Sequence, residues 1–209
     1  YIFFFFFGQL HLTLIYIKEA KKKATPIPVL TNFPSVTVQL PVYNEKYVIE
    51  RLLDTVSKLD YPKDRLEIQV LDDSTDETSE IIRIKSLALQ QQGLNIHVIH
   101  RNDRTGYKAG ALAHGLKSSK GELIAIFDAD FIPESDFLLK TLPHFTNDNI
   151  GVVQTRWGHI NRNYSLLTRL QAFGLDAHFS IEQTARKAAG SFINFNGTGG
   201  VWRKRCIEE

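Results

Sequence analysis

Methionine is missing from the sequence altogether, and cysteine occurs once, at Cys206. Without an initiator residue, the chain is expected to be a piece of a longer polypeptide. A lone cysteine excludes an intrachain disulfide and any metal site built on Cys and His spacing, and it suits a reducing compartment. Charge of one sign is also scarce: 25 Lys and Arg against 23 Asp and Glu leave a net charge of +2. That balance implies no polyanionic partner, so nucleic acid is not expected. There is no internal repeat, and the only low-complexity stretch is the phenylalanine run Phe3 to Phe7. What remains, 43% hydrophobic and 23% charged over 209 residues, has the composition of one ordinary α/β domain.

Lys, Arg, Asp and Glu are absent from residues 1–17, where Leu10, Leu12, Leu14, Ile15 and Ile17 follow the phenylalanines. This reads as the truncated end of a transmembrane helix, since a full span needs about 20 residues. Lys18, Lys21, Lys22 and Lys23 follow at once. Positive charge flanking a span marks its cytoplasmic side, so the domain beyond is expected to be membrane-anchored and to face the cytosol. A signal peptide is the competing reading, but its basic residues precede the apolar run and a small-residue cleavage site follows it. Residues 18–35, basic and then proline-rich, read as a linker, leaving 36–209 as the folded domain.

Within that domain, apolar runs alternate with helical spacing. Strands are expected at Val36 to Leu40 (ended by Pro41), Leu66 to Leu71, Ile96 to Ile99 and Leu123 to Phe127. Between them, helices are expected at Lys46 to Leu59, Glu77 to Gln92 with Gly93 ending it, and Lys108 to Lys117. Such alternation with short connections calls for a mostly parallel, doubly wound α/β sheet. Further on, Gly151 to Thr155 and Phe192 to Phe195 read as strands, with a long helix around Leu166 to Ile181 between them.

The stretch Gly121 to Leu138, GELIAIFDADFIPESDFL, carries the sharpest signal. Its five-residue apolar run suits a strand buried on both faces, and Asp128 and Asp130 stand at the carboxyl end, where ligands collect in open α/β sheets. Two carboxylates one residue apart can share a hard divalent cation such as Mg²⁺ or Mn²⁺. Ser135 is positioned to cap the next helix. Polar clusters also end the first strand, at Pro41 to Glu45, and the second, at Asp72 to Asp76; parallel strands would bring all three to one crevice. Asp72 to Asp76 reads equally well as ligand or as helix cap. Lys108, in Arg104-Thr-Gly-Tyr-Lys-Ala-Gly, stands at the mouth of a helix where a diphosphate binds well, although a solvated surface lysine is the plainer reading.

Six segments, QLPVYNE, QVLDDSTDET, GYKAGAL, IAIFDADFIPESDFL, VVQTRW and FNGTGGVWR, run from Gln39 to Arg203. Together they resemble the catalytic domain of a family 2 glycosyltransferase with the GT-A fold, of the membrane-bound cellulose synthase and glucomannan 4-β-mannosyltransferase type. The resemblance implies an inverting transfer of a hexose from UDP-glucose or GDP-mannose to a glycan or lipid acceptor. It implies that Pro41, Tyr43, Glu45 and Asp73 contact the nucleotide and that Lys108 approaches the diphosphate. It also implies that Asp128 and Asp130 bind a Mg²⁺ or Mn²⁺ ion, with Asp128 near the ribose as well. Asn196, Gly197 and Thr198 are implied to lie towards the acceptor.

Two parts of that family's pattern are not found in these residues: a TED-like carboxylate that serves as catalytic base, and a Q-x-x-R-W element. Gln154-Thr-Arg156-Trp157 has one residue too few for the second. Glu208 and Glu209 read as surface carboxylates, so the base is expected beyond Glu209. Two rivals stand beside the enzyme reading. One is a nucleotide-sugar-binding fragment without catalysis. The other is a haloacid dehalogenase-type phosphatase, which also places D-x-D after a buried strand but near the start of its domain.

Overall fold

A computed structural model describes residues 2–22 and 29–208. Lys23 and most of the prolines in the expected linker, together with Glu209, lie outside them. The chain divides into two compact units, one holding α1 (Ile2–Ala20) with Arg156–Phe195, the other the sheet, 29–155 with 196–208.

In the sheet unit, β1 (Val36–Val42), β2 (Leu66–Asp72), β3 (Ile96–His100) and β4 (Leu123–Ile126) are all parallel. With β5 (Val152–Gln154) and β6 (Gly200–Arg203) they form one sheet in the order β3-β2-β1-β4-β6-β5. β6 runs antiparallel to both of its neighbours. The helices α2 (Ile49–Val56), α3 (Thr78–Gln91), α4 (Tyr107–Leu116) and the short α5 (Phe137–Thr141) occupy the connections. This is the mostly parallel α/β arrangement expected from the alternating pattern.

Central strands buried on both faces read as apolar runs, but the two faces differ here. Val36, Val38, Leu40 and Val42, with Ile68 and Val70, pack into one core with Ile49, Leu52, Leu53 and Val56 of α2. The other face, under α4, is partly polar. The Gln39 amide nitrogen donates to the Gln69 side-chain oxygen at 3.1 Å and to the Leu112 carbonyl in α4 at 3.4 Å. The Thr37 hydroxyl donates to Glu67 Oε2 at 2.6 Å, which also accepts from the Lys120 amide at 2.9 Å. Thr37 Oγ1 in turn accepts from the Gly121 amide at 2.9 Å. These bonds fasten the turn that feeds β4 to the centre of the sheet. Only glycine fits at 121, since a Cβ there would sit 2.3 Å from the Thr37 nitrogen.

Three local expectations are corrected. β1 continues through Pro41 to Val42 instead of ending at Leu40. Its pairing with β4 stops at Gln39, so the side of Pro41 that lacks an N–H faces no strand. Ser135 does not cap α5; Asp136 holds that position without a side-chain bond, and the Ser135 carbonyl accepts from the Asp60 amide. Phe192 to Phe195 is not a strand, and Phe192 is 99% exposed. The strand comes after the glycine-rich turn, where Val201 and Trp202 pair with Ala125 and Ile124 on the open edge of β4.

In the other unit, α6 (Leu166–Ala177) runs on through a π-helical turn, His178–Gln183, into α7 (Thr184–Ala188). This prolongs the expected helix. Ser165 and Thr168 form a reciprocal capping box at its start, which satisfies two amides that a helix end leaves open. The segment read as a membrane span is helical in α1, but among the described residues no helix is long and apolar enough to cross a membrane. Gln9, His11 and Thr13 interrupt its apolar run.

Candidate functional site

β1, β2 and β4 end at one edge of the sheet, and the loops beyond them enclose a cavity of about 340 Å³. Pro41, Val42, Tyr43 and Glu45 line it from the first loop, and Asp73 from the second. Lys108 and Ala111 of α4 and Asp128, Ala129 and Asp130 after β4 complete it with Arg104. All seven donor-side and metal-side candidates read from the sequence thus border one space.

The second loop separates its carboxylates by role. Asp72 is 1% exposed and accepts from the Ser74 amide at 2.9 Å, the Ser79 hydroxyl at 2.6 Å and His100 Nδ1 at 3.0 Å. It organises the turn. Asp73 borders the cavity and is gripped by Arg101, whose Nε and Nη2 reach its two oxygens at 2.7 and 2.5 Å. That two-pronged bond raises the guanidinium pKa above its ordinary value. Asp76 caps locally, accepting from the Thr78 amide at 3.0 Å. Asn44, in a left-handed conformation with φ of 55°, crosslinks the first and second loops through Ser74 and Thr75.

Asp128 and Asp130 present oxygen ligands of the kind a hard divalent cation takes. Among the described residues no group of three His, Cys, Asp or Glu side chains is arranged to hold a metal, so this pair alone would leave most of a cation's coordination to a ligand and water. Lys108 Nζ lies 2.5 Å from Asp128 Oδ1 and donates to the Gly197 carbonyl at 2.8 Å.

Asn196, Gly197 and Thr198 do not line the cavity but brace it from behind. Thr198 Oγ1 accepts from the Asp128 amide at 2.9 Å, and the Gly199 amide donates to the Ile126 carbonyl at 2.8 Å. Gly197 and Gly199 take φ of 83° and 63°, which glycine adopts without strain. Gln154 fastens the turn: its amide nitrogen donates to the Thr198 and Gly199 carbonyls at 3.0 and 3.1 Å, and its oxygen accepts from the Asn196 amide at 2.9 Å. That is the task of the glutamine in Gln154-Thr-Arg156-Trp157.

Sequence reading passed over Arg104 and Arg101. Only the density of basic residues around Lys108 signalled them, and neither has a distinctive spacing. Arg104 sits over Tyr43, its guanidinium carbon 3.3 Å from the ring centroid.

Comparison with known proteins bears directly on this arrangement. Residues 37–206 match the family described as Glycosyl transferase family 2. The chain belongs to that family. It is 46% identical over 189 residues to the probable glucomannan 4-beta-mannosyltransferase 2 of Oryza sativa subsp. japonica, covering 88% of this chain and 33% of the relative. The chain therefore spans about a third of the length of such relatives. Among solved structures, the mannosyltransferase PcManGT from Pyrobaculum calidifontis, in complex with GDP-Man and Mn²⁺, superposes with a TM-score of 0.78 at 27% identity, over 97% of this chain and 54% of that one. S. aureus TarS 1-349 in complex with UDP matches with a TM-score of 0.53 at 26% identity, over 62% of this chain and 37% of that one. The architecture is a GT-A-like fold with a mainly parallel sheet, and membership of family 2 sets aside the phosphatase reading.

Proposed function

We propose that the chain is the donor-binding domain of an inverting hexosyltransferase. Its donor would be a nucleoside diphosphate sugar, GDP-mannose or UDP-glucose, and its acceptor a glycan or lipid, as in β-mannan or β-glucan synthesis. The observation that carries this reading is the convergence of Tyr43, Glu45, Asp73, Lys108, Asp128 and Asp130 on one cavity at the carboxyl edge of β1, β2 and β4. The likeness to glucomannan 4-beta-mannosyltransferases and to PcManGT with GDP-Man favours mannose, while TarS with UDP keeps the uridine donor in view.

In this reading Asp128 and Asp130 hold Mg²⁺ or Mn²⁺ against the diphosphate. When bound, the cation stabilises the negative charge that grows on the leaving diphosphate. Asp73, with its orientation fixed by Arg101, faces the base or ribose. Lys108 is placed to exchange its bond with Asp128 for one to a phosphate oxygen. Thr198 and Gly197 hold the carboxylate loop and the lysine towards the acceptor side. No residue here is assigned as the catalytic base. Calorimetric titration of the full-length protein with GDP, UDP, GDP-mannose and UDP-glucose in the presence of Mn²⁺ tests the donor. Failure of all four to bind would overturn the reading, and binding without sugar transfer would favour a non-catalytic binder.

We propose further, from the lysines that follow the apolar N-terminal segment, that the domain sits at a membrane with its catalytic face in the cytosol. The glycosylation patterns at Asn163-Tyr-Ser165 and Asn196-Gly-Thr198 then never meet the glycosylation machinery. A glycan on Asn196 in a eukaryotic membrane preparation would defeat that orientation.

A further inference from the structure

The cavity is bordered by four carboxylates, Glu45, Asp73, Asp128 and Asp130, and two of them are already matched by cations. Arg101 holds Asp73 and Lys108 sits on Asp128. Arg104 is different. It borders the same cavity, yet among the described residues its guanidinium forms no ion pair. Its contacts are two rings: Tyr43, with 3.3 Å from the guanidinium carbon to the centroid, and Tyr107 at 5.2 Å. Stacking occupies the face of a guanidinium and leaves its five N–H donors, which point outward in the plane, available to an anion. The planar fork matches the oxygens of a phosphate two at a time.

The loop presenting Arg104 is built to hold its shape. The Thr105 amide and hydroxyl bond to Asp103 Oδ1 at 2.9 and 2.6 Å, and the Thr105 hydroxyl holds that carboxyl below the usual carboxylate range. Arg101 Nη1 and Nη2 tie down the Thr105 and Tyr107 carbonyls at 3.4 and 3.2 Å. Gly106 supplies the positive φ, 76°, that turns the chain into α4, and Tyr107 follows with φ of 49°. A Cβ on Gly110 would lie 2.1 Å from the Thr105 carbonyl oxygen, so α4 and the loop meet at backbone distance. An arginine carried on a braced loop and laid on an aromatic ring has already lost much of the freedom that ligand binding would otherwise remove.

We propose that Arg104, held on the ring of Tyr43, is a binding residue for the diphosphate of the nucleotide that enters this cavity. The assignment rests on the nucleotide-sugar reading above. It adds to Lys108 a second and different contact. The lysine is a point charge already shared with Asp128, whereas the arginine, four residues earlier on the loop that leads into α4, is an uncommitted fork.

The test uses the full-length protein with Mg²⁺ present, and GDP and UDP as probes, titrated by calorimetry. Guanosine and uridine, measured by competition, separate phosphate from base. Arg104→Ala is expected to weaken binding of the preferred diphosphate by roughly tenfold or more, the scale of a hydrogen bond to a charged group, while nucleoside binding stays within about twofold. Arg104→Gln is expected to lose as much, and Arg104→Lys to recover part, because charge without the fork is a poorer phosphate ligand. Circular dichroism checks the fold of each variant. A folded Arg104→Ala or Arg104→Gln that binds the diphosphate as the unaltered protein does would overturn the assignment. Equal losses for diphosphate and nucleoside would overturn it as well, since Arg104 would then serve only to hold Tyr43. If the unaltered protein binds neither diphosphate, the nucleotide-sugar reading itself falls, and that result is distinct from either of the others.

Discussion

Lys108 Nζ bridges Asp128 Oδ1 at 2.5 Å and the Gly197 carbonyl oxygen at 2.8 Å, joining the D-x-D loop to a turn 89 residues away from the lysine in sequence. One ammonium thus links three parts of the chain: the start of α4, the carboxyl end of β4 and the glycine-rich turn before β6. The side chains of the pair are only partly buried, at 39% and 35% exposed, so the ion pair by itself contributes modestly to stability. Its value lies in placing a positive charge beside the carboxylates that are proposed to carry the metal.

Replacing that lysine separates the two roles. Lys108→Ala is expected to weaken nucleoside diphosphate binding by about 1.5–3 kcal/mol, the range for bonds involving a charged group, with little change for the free nucleoside. Amide hydrogen exchange should quicken at Gly197 and Thr198, which lose a tether. Equal losses for both ligands would mean that the position serves folding instead.

Asp130→Asn is nearly isosteric and the side chain is exposed, so the fold should survive. An amide is a poorer ligand for a hard cation than a carboxylate, and a metal contribution of several kcal/mol to the transition state should be largely lost. At about 1.4 kcal/mol per tenfold, transfer should slow by roughly a thousandfold or more. Assaying sugar transfer by the full-length protein across a Mn²⁺ series checks this; a folded variant with near-normal rate and metal response would sink the role of Asp130.

Thr198→Val removes the hydroxyl that accepts from the Asp128 amide, and Thr198 is 2% exposed. A donor that loses its partner in such a setting costs about 1–3 kcal/mol. Thr198→Ser keeps the oxygen and should stay close to the unaltered protein. Urea unfolding of the two variants side by side decides the matter, and identical midpoints would count against this bond as a brace of the D-x-D loop.

Gly121→Ala places a methyl against backbone atoms, 2.3 Å from the Thr37 nitrogen and 2.7 Å from the Val36 carbonyl carbon. Neither can rotate away as a flexible side chain would, so β4 must shift. Overpacking of this kind typically costs about 1–3 kcal/mol. The expected result is a lower melting temperature together with weaker nucleotide binding, because β4 delivers Asp128 and Asp130; an unchanged melting temperature would show that the turn adapts.

The sequence by itself determined the parallel strands and the ends at which chemistry gathers. β4 is buried on both faces, and that condition leaves an apolar run that breaks off at the first polar residue after Phe127. β1 and β2 instead keep Val36, Val38, Leu40, Ile68 and Val70 on one face and carry Thr37, Gln39, Glu67 and Gln69 on the other. Local periodicity likewise marked α2, α3 and α4, because an amphipathic stripe depends only on near neighbours. Tertiary structure alone decided the rest. Phe192 to Phe195 is as apolar as a strand, but the free edge of β4 is taken by Gly200–Arg203, and sheet pairing is chosen by which segment reaches that edge. Gln154 became the clasp of the glycine-rich turn through bonds spanning more than 40 residues, and no local spacing records such a contact. Arg101 and Arg104 look alike in sequence. Their different fates, one committed to Asp73 and the other laid on Tyr43, follow from which groups the folded loops bring within hydrogen-bonding or stacking distance.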